Sequence, residues 1–406
     1  MTISMDIQAL ARDMSTWRHM IHSKPEIAFQ ERGTAEFIAS RLRDFGIEVH
    51  TGIGKTGVVG VIRGRLGNGP TIAFRADMDA LPMTERGTPV YRSVFEGVFH
   101  GCGHDGHVSI LLGTARYLSM NRTFRGTVLL IFQPAEEVVR GSRAMLDDGL
   151  LERFPFDEIY SLHNDPTLPP GKIGVRAGAQ QASADRFTIR IEGVGTHAGM
   201  PHLGVDPISI GASLVAALQT IVSRTVNPME SVVLTVARFH AGDAVNVIPH
   251  EAVLDGTIRA FSATARERVM QRMRTICRGL AVANDTQIDV EFQSGTPAIV
   301  NAEAAVRHVV SAAREVVGER NVVENMEPLM AGDDVANFLQ LRPGCHFMLG
   351  QGGVICHHPE YDFNDDVAPI GVAMFVKILR SRLDDALESR VESTSGGTGS
   401  LETIGR

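Results

Sequence analysis

The hydrophobic and polar positions in the first third of the chain predict alternating helices and strands. Apolar residues recur with helical spacing over 7–21 and 33–45. Short apolar runs at 58–62, 71–74 and 127–132, bounded by glycine or proline, are typical of buried strands. Strands that alternate with helices predict an α/β fold with a mixed, largely parallel sheet flanked by helices.

A different pattern follows residue 184, where polar and apolar positions alternate over 186–192 as in a half-exposed strand. The next segments predict a helix at 207–222, strands at 231–239 and 251–259, a helix at 263–283 and a strand at 287–293. This is the order of a ferredoxin-like α+β unit. We therefore expect a main domain formed by 1–183 and 295–391, an inserted ferredoxin-like domain at 184–294, and a disordered Ser/Thr/Gly-rich tail at 392–406.

Length, composition and charge agree with a soluble protein of two domains. The chain has 406 residues, of which 44% are hydrophobic and 21% charged, and a net charge of −8. This charge argues against nucleic acid or anionic membrane as a partner, and no apolar run is long enough to span a bilayer. Four cysteines in so long a chain form no disulfide framework, and the polar N-terminus does not resemble a signal peptide. We therefore expect a cytoplasmic protein.

The segment from His100 to His107 concentrates candidate metal ligands. It holds three histidines, one cysteine and one aspartate within eight residues. Thiolate, imidazole and carboxylate bind zinc-like ions, and the glycines around Cys102 allow Cys102 and His104 to face one ion. An apolar run with helical spacing follows, so the segment opens a helix. Capping that helix would need only one acceptor, which favours the metal site.

Two adjacent carboxylates, Glu136 and Glu137, follow the strand predicted at 127–132. After Pro134 the chain forms a loop, so both can reach the crevice at the carboxyl end of the strand. One carboxylate can then bind a metal while its neighbour takes a proton from water. The alternative is a solvated acidic start of a helix.

Further imidazoles occur at His163, which follows an apolar segment, and at His357 and His358. A lone histidine at a strand end is more often structural than a ligand. Counted together, the donors are Cys102, His104, Glu137, His163 and His357. Five donors suit two ions bridged by a thiolate and a water.

An ordered set of motifs resembles the metal-dependent aminoacylase/carboxypeptidase family, peptidase family M20. Within it, the similarity is to the branch of hippurate hydrolases, N-acyl-amino-acid amidohydrolases and plant auxin-conjugate hydrolases. The match extends from about Trp17 to Arg380, and its motifs are Arg75–Pro82, His100–His107, Gln133–Glu137, Ala182–Asp185, Gly195–His202, Asn246–Pro249, Gly256–Arg259 and His357–Pro359.

The resemblance implies metal-dependent hydrolysis of N-acyl amino acids, hippurate-like or N-acetylated, to a carboxylic acid and a free amino acid. It implies two divalent ions per subunit, with zinc, manganese, nickel and cobalt all open. Position by position it implies that Glu136 is the general base and that Asp79 orients a metal-bound group. The implied metal ligands are Cys102, His104, Glu137, His163 and His357.

For the inserted domain the resemblance implies a lid and dimerisation role in a homodimer or a dimer-based homo-oligomer. His197 matches a histidine that reaches the neighbouring subunit's site and stabilises the oxyanion. Asn246 and Arg259 match a pair that holds the substrate carboxylate. Without the resemblance, His197 would be an ordinary loop histidine, Arg259 a surface residue and Asp79 a turn cap.

The chain departs from the family pattern at two motifs. Gly195-Thr-His-Ala-Gly199 replaces Gly-Gly-His-Ala-Ala, and Met330-Ala-Gly-Asp-Asp334 replaces Gly-Ser-Glu-Asp-Phe. These changes bear on the lid loop and the acyl-pocket wall and remove no ligand. His357 is preferred to its neighbour His358 because it stands two residues before Pro359, as in the family motif.

Two other functions compete with amide hydrolysis of N-acyl amino acids. A dipeptidase or aminopeptidase of the same family would need an acceptor for a free ammonium group, and no residue marks one. A non-catalytic binding protein that retains the fold would have no need of Glu136 beside all five ligands.

Overall fold

The structure is a computed structural model that describes the backbone of residues 3–395 and the side chains of 3–293 and 295–382. Within these residues the chain forms two compact units. The first unit comprises 3–175, 302–326 and 341–395, and the second comprises Arg176–Asn301 and Glu327–Gln340.

The α-helices and β-strands are numbered separately in chain order. The helices are α1 Met5–Ala9, α2 Ala11–His22, α3 Arg32–Asp44, α4 His104–Met120, α5 Gly141–Asp147, α6 Leu150–Arg153, α7 Pro207–Thr220, α8 Ala263–Ala283, α9 Glu303–Val316, α10 Ala336–Leu339 and α11 Ala368–Ser395. The strands are β1 Glu48–Ile53, β2 Gly57–Arg63, β3 Thr71–Asp77, β4 Thr127–Gln133, β5 Glu158–Asp165, β6 Ile173–Val175, β7 Gly178–Gln181, β8 Ala184–Glu192, β9 Thr196–His197, β10 Val232–Ala241, β11 Val247–Ile248, β12 Glu251–Ala260, β13 Ile288–Thr296, β14 Ile299–Asn301, β15 Val322–Glu324 and β16 Gly344–Gly350.

The first unit is built on an eight-stranded mixed sheet in the order β1-β2-β4-β3-β5-β16-β6-β15. Its four neighbouring strands β4, β3, β5 and β16 run parallel, which confirms the predicted α/β class with a largely parallel sheet. The chain passes from β3 to β4 on one side and then to β5 on the other. The crevice at such a reversal, at the carboxyl ends of the strands, is where α/β proteins bind ligands.

Buried apolar residues on both sides of this sheet explain why its strands read as continuous hydrophobic runs. Helix α4 is buried along most of its length and packs against α2 and α11. The burial of α4 holds its first turn, which carries His104, in a fixed position at the edge of the sheet.

The second unit contains an antiparallel sheet in the order β10-β12-β8-β13, with α7 and α8 packed against it. With the chain order β8-α7-β10-β12-α8-β13, this arrangement is ferredoxin-like. A separate apolar core lies between the sheet and the two helices. The stretch Pro207–Thr225 is long and apolar enough to be a candidate membrane span, yet Ile210, Leu214, Leu218 and Ile221 within it belong to this core.

The observed bounds differ from the predicted ones in several places. The second unit also includes residues that were assigned to the main domain, namely 176–183, 295–301 and 327–340. They belong to it because β7 pairs with β14 and because the Leu329 amide donates to the Gln180 carbonyl at 2.9 Å. Such short, partly polar strands carry little hydrophobic periodicity, so the sequence did not reveal them.

Three further local differences concern the ends of the chain and its first strand. The helix predicted over 7–21 is two helices, since the Leu10 amide bonds back to Ile7, three residues before it, and interrupts the α-helical register. Strand β1 was not predicted, because only Val49 and Ile53 among its six residues have apolar side chains. Of the tail predicted to be disordered, 392–395 continue α11, and 396–406 lie outside the described residues.

Candidate metal centre

The candidate ligands of the first unit converge at the carboxyl ends of its parallel strands. Asp79 follows β3, Glu136 and Glu137 follow β4, and His163 lies near the end of β5. His104 is the first residue of α4, and Gly103 before it has a φ of 93°. A Cβ at Gly103 would lie 2.4 Å from the Asn164 Oδ1, so only glycine allows this approach.

Five side chains bring their donor atoms together at this edge. Cys102 Sγ lies 3.5 Å from His163 Nε2, and His104 Nε2 lies 3.8 Å from Glu137 Oε1. The second oxygen of Glu137 lies 3.5 Å from His357 Nε2. Three overlapping groups with donor atoms within 4.8 Å of one another share these residues: Cys102, His104 and His163; Cys102, Glu137 and His357; and His104, Glu136 and Glu137.

His357, and not His358, faces the cluster. The amide of His357 donates to the Gly101 carbonyl at 2.7 Å, and the residue has a φ of 65°. His358 is exposed, and its Nδ1 accepts the Glu360 amide at 3.2 Å. With 56% of its side chain exposed, His357 forms the solvent-facing side of an otherwise buried centre.

Backbone carbonyls orient two of the imidazoles. His104 Nδ1 donates to the Asp79 carbonyl at 2.9 Å, and His163 Nδ1 donates to the Asn164 carbonyl at 2.8 Å. In each neutral ring the lone pair therefore lies on Nε2, the atom that faces the other donors. Histidines that bind metals are oriented in this way by bonds from their second nitrogen.

Two carboxylates hold the loop that carries the glutamate pair. Asp79 accepts the amides of Glu136 and Glu137 with one oxygen each, both at 3.0 Å. Glu31, which no sequence pattern had marked, accepts the Ala135 amide at 2.9 Å. Ala135 is buried with a φ of 53°, so these bonds stabilise a backbone conformation that alanine rarely adopts.

Behind the candidate ligands lies a buried hydrogen-bond network that was not predicted from the sequence. His107 bridges Asp77 at 2.5 Å and Asn164 at 2.7 Å, and Arg75 donates to Asp77 at 2.8 Å. Spacing contains signals for these residues. His104 and His107 are three apart on one helix face, and Arg75 and Asp77 are two apart on one strand face.

The buried carboxylates give the centre an excess of negative charge, which a bound cation would balance. Burial lowers the pKa of His104, but Asp77, Asp79 and Glu137 outweigh burial and hold this pKa well above its usual value. The pKa of the Cys102 thiol is raised by a hydrogen bond with Cys356, by burial and by Glu137.

The donor atoms themselves fit a metal. His104 Nε2 and Glu137 Oε1 are buried and form no hydrogen bond. Unpaired buried polar atoms are costly, and a divalent ion would satisfy both of them and favour the thiolate of Cys102. The donor set of sulfur, imidazole and carboxylate is therefore suited to a zinc-like ion.

In the second unit, His197 and Asn246 lie side by side. Strands β9 and β11 pair His197 with Val247, and the Ala198 amide donates to the Asn246 carbonyl at 3.0 Å. The Gly199 amide donates to His197 Nδ1 at 3.0 Å, so the proton of the neutral ring lies on Nε2. Both side chains are exposed. This segment therefore presents an imidazole N–H donor beside an amide.

Arg259 lies elsewhere in the same unit. It stands near the carboxyl end of β12, opposite Val233, whereas Asn246 precedes the start of β12 at Glu251. Eight residues of strand at roughly 3.3 Å each separate Arg259 from Glu251 by about 26 Å. Within one chain the two residues therefore stand toward opposite ends of β12, and their joint contact with one substrate carboxylate stays a prediction.

The fold is of the α/β class, and its donor cluster is of the kind that metal-dependent hydrolases use. The family model for peptidase family M20/M25/M40 matches residues 73–381. The chain belongs to this family of hydrolases.

Individual relatives extend over most of the chain. It is 38% identical over 379 residues to a hippurate hydrolase of Campylobacter jejuni, covering 93% of this chain and 98% of that protein. It is 40% identical over 299 residues to an N-acyl-L-amino acid amidohydrolase of Geobacillus stearothermophilus, and the match covers 73% of this chain and 80% of that protein. The crystal structure of the Bacillus subtilis YXEP protein, described as a dinuclear metal-binding peptidase of the M20 family, superposes with a TM-score of 0.83 at 32% identity, covering 93% and 99%.

Proposed function

We propose that this protein hydrolyses the amide bond of N-acyl amino acids, releasing a carboxylic acid and a free amino acid. The observation that carries the proposal is the buried Cys-His-Glu cluster with Glu136 beside it, in a chain 38% identical to a hippurate hydrolase. Two divalent ions would be held by Cys102, His104, Glu137, His163 and His357. Zinc, manganese, nickel and cobalt are all compatible with these ligands.

The ions, when bound, would supply polarisation of the amide carbonyl and activation of water at neutral pH. Glu136 would take the proton from the attacking water and pass it to the leaving nitrogen. One of its oxygens lies 3.9 Å from His104 Nε2, so its carboxylate adjoins the ligands. Asp79 would keep Glu136 and Glu137 in their relative positions through the two amide bonds.

His197 would stabilise the oxyanion formed at the amide carbon. Its Nε2 carries the proton because Nδ1 accepts the Gly199 amide. A neutral N–H directed at developing negative charge is the arrangement of an oxyanion hole. Asn246, beside it, would contact the substrate.

A homodimer would explain the surface of the second unit. Strand β10 is an edge strand, and the neighbouring helix α7 has no charged residue. Five exposed apolar residues also surround His197 and Asn246: Val194, Met200, Leu203, Val245 and Val247. Exposed edges and apolar patches of this kind mark interaction sites.

In such a dimer, His197 and Asn246 of one subunit would serve the site of its partner. Arg259 lies about 26 Å from Glu251 at the other end of β12, by the rise per strand residue. It would then contact the substrate carboxylate in the second active site of the dimer. Two-fold symmetry gives each site one copy of every residue. The four cysteines are all free, which supports a reducing, cytoplasmic location.

A substrate panel tests the proposal. The purified protein is stripped of metal, reloaded separately with zinc, manganese, nickel or cobalt, and assayed by amino-acid release. The panel contains N-benzoyl and N-acetyl amino acids of both chiralities, with unblocked dipeptides as the comparison. We expect the acylated compounds to be hydrolysed in preference; preference for free-amine dipeptides would contradict the proposal.

A further inference from the structure

Cys356 lies directly opposite the candidate ligand Cys102. The amide of His357 donates to the Gly101 carbonyl at 2.7 Å, so the residue after Cys356 is bonded to the residue before Cys102. Backbone segments joined by such a bond lie about 4.8 Å apart. That spacing falls within the roughly 4.4–6.8 Å between Cα atoms that disulfides require.

The Cys356 side chain also lies against Cys102. Its thiol donates to the Cys102 carbonyl at 3.7 Å, which places the sulfur beside the residue it would bond. Asn164 Nδ2 donates to Cys356 Sγ at 3.4 Å. Cys102 is 8% exposed, whereas Cys356 is partly exposed. A small oxidant therefore reaches Cys356 first.

Cys356 has no place among the five candidate ligands, so its position requires another explanation. The other two cysteines, Cys277 and Cys345, are buried without a cysteine partner among the described residues. Cys356 thus differs from them in having both access to solvent and a second thiol within reach.

We propose that Cys356 and Cys102 form a reversible disulfide when a peroxide oxidises the metal-free protein. Cys356 sulfur attacks one peroxide oxygen, the O–O bond breaks, and a sulfenic acid and one water form. Cys102 sulfur then attacks the Cys356 sulfur, the S–O bond breaks, and a second water leaves. Two thiols lose two electrons and two protons, and the peroxide gains them.

The consequence for the metal centre rests on the proposed function. A disulfide removes the Cys102 thiolate, so the oxidised protein loses the shared ligand and its capacity to hold metal. The same bond protects Cys102 from irreversible oxidation to the sulfinic acid. Reduction by a thiol restores the ligand.

The test follows the sulfur atoms directly. Full-length protein, either reloaded with zinc or stripped by a chelator, is treated with hydrogen peroxide, blocked with N-ethylmaleimide under denaturing conditions and digested with trypsin and chymotrypsin. Chymotrypsin separates Cys345 from Cys356 by cleaving after Phe347. We expect a Cys102–Cys356 peptide about 2 Da lighter than its reduced parts in the stripped sample. The zinc-loaded sample should contain no linked peptide, because the bound ion holds the Cys102 sulfur.

Two variants complete the test. Cys356→Ser should bind zinc like the wild type before oxidation, but after peroxide and thiol reductant it should not regain zinc binding, because Cys102 is oxidised further. Cys277→Ser, which removes a thiol in the other unit, should recover like the wild type. Absence of the linked peptide, or equal recovery in Cys356→Ser, would overturn the proposal. A link formed equally in zinc-loaded protein would support the disulfide and contradict Cys102 as a ligand.

Discussion

The metal centre of the first unit and the His197 segment of the second unit are organised in opposite ways. His104, Glu136 and Asp79 are buried, and each is held by backbone hydrogen bonds. His197 and Asn246 are exposed on strands of two residues or beside them. A buried, cross-linked group is positioned by its own unit. His197 is held by one bond, from the Gly199 amide, and is open to solvent. We expect such an exposed donor to act only when another surface covers it.

The largest expected effect separates the roles of the glutamate pair in the buried centre. Glu136→Gln should retain metal and lose about 10²–10⁴-fold in turnover, because an amide cannot transfer the proton. Glu137→Gln is the matched control and should lose metal. Metal analysis and kinetics on both variants decide the assignment; loss of metal from Glu136→Gln would reverse the roles.

The exposed segment should depend on a partner subunit. His197→Ala should lose about 10²–10³-fold in turnover with its metal content unchanged, since one oxyanion donor is removed. Mixed with inactive Glu136→Gln under conditions of subunit exchange, it should recover roughly a quarter of wild-type activity, because half of the dimers then carry one intact site. No recovery after demonstrated exchange would mean that His197 acts in its own subunit.

A substitution at Asp79 tests whether the hydrogen bonds to the amides of Glu136 and Glu137 keep the metal ligands in place. Asp79→Asn replaces one acceptor oxygen by a donor that faces a backbone amide. We expect metal affinity to fall roughly 10–100-fold, as for other groups that orient ligands. Competition with a chromogenic chelator measures this, and Asp362→Asn, whose carboxylate accepts from Tyr91 and Arg18, serves as a control. Equal affinity in Asp79→Asn and wild type would contradict the positioning role.

The smallest expected effect concerns the loop that orients His197. A Cβ at Gly199 would lie 3.2 Å from His197 Nδ1, so Gly199→Ala should displace the ring by a few tenths of an ångström. We expect turnover to change roughly three-fold, with unchanged metal content. Ala198→Gly, on the adjacent residue, is the control. A Gly199→Ala variant with wild-type kinetics would show that the ring adjusts freely.

Much of the first unit was predictable from local patterns. The buried strands β2, β3 and β4 were found because strands covered on both faces of a sheet are hydrophobic throughout. The segment from His100 to His107 was recognisable because its metal-binding residue types lie within eight consecutive residues. Glu31 was not recognised, since its partner Ala135 is distant in the chain and no local pattern links the two.

By itself the sequence determined the class of fold, the ferredoxin-like order of the second unit and the residue types available for metal binding. These follow from hydrophobic periodicity and side-chain chemistry, which are properties of short segments. Only the tertiary structure decided that His357 and not His358 faces Glu137, that Arg259 stands far from Asn246, and that Cys356 lies opposite Cys102. Each of these depends on the register of strands and loops distant in the chain, and packing and hydrogen bonding between such segments leave no periodic signal.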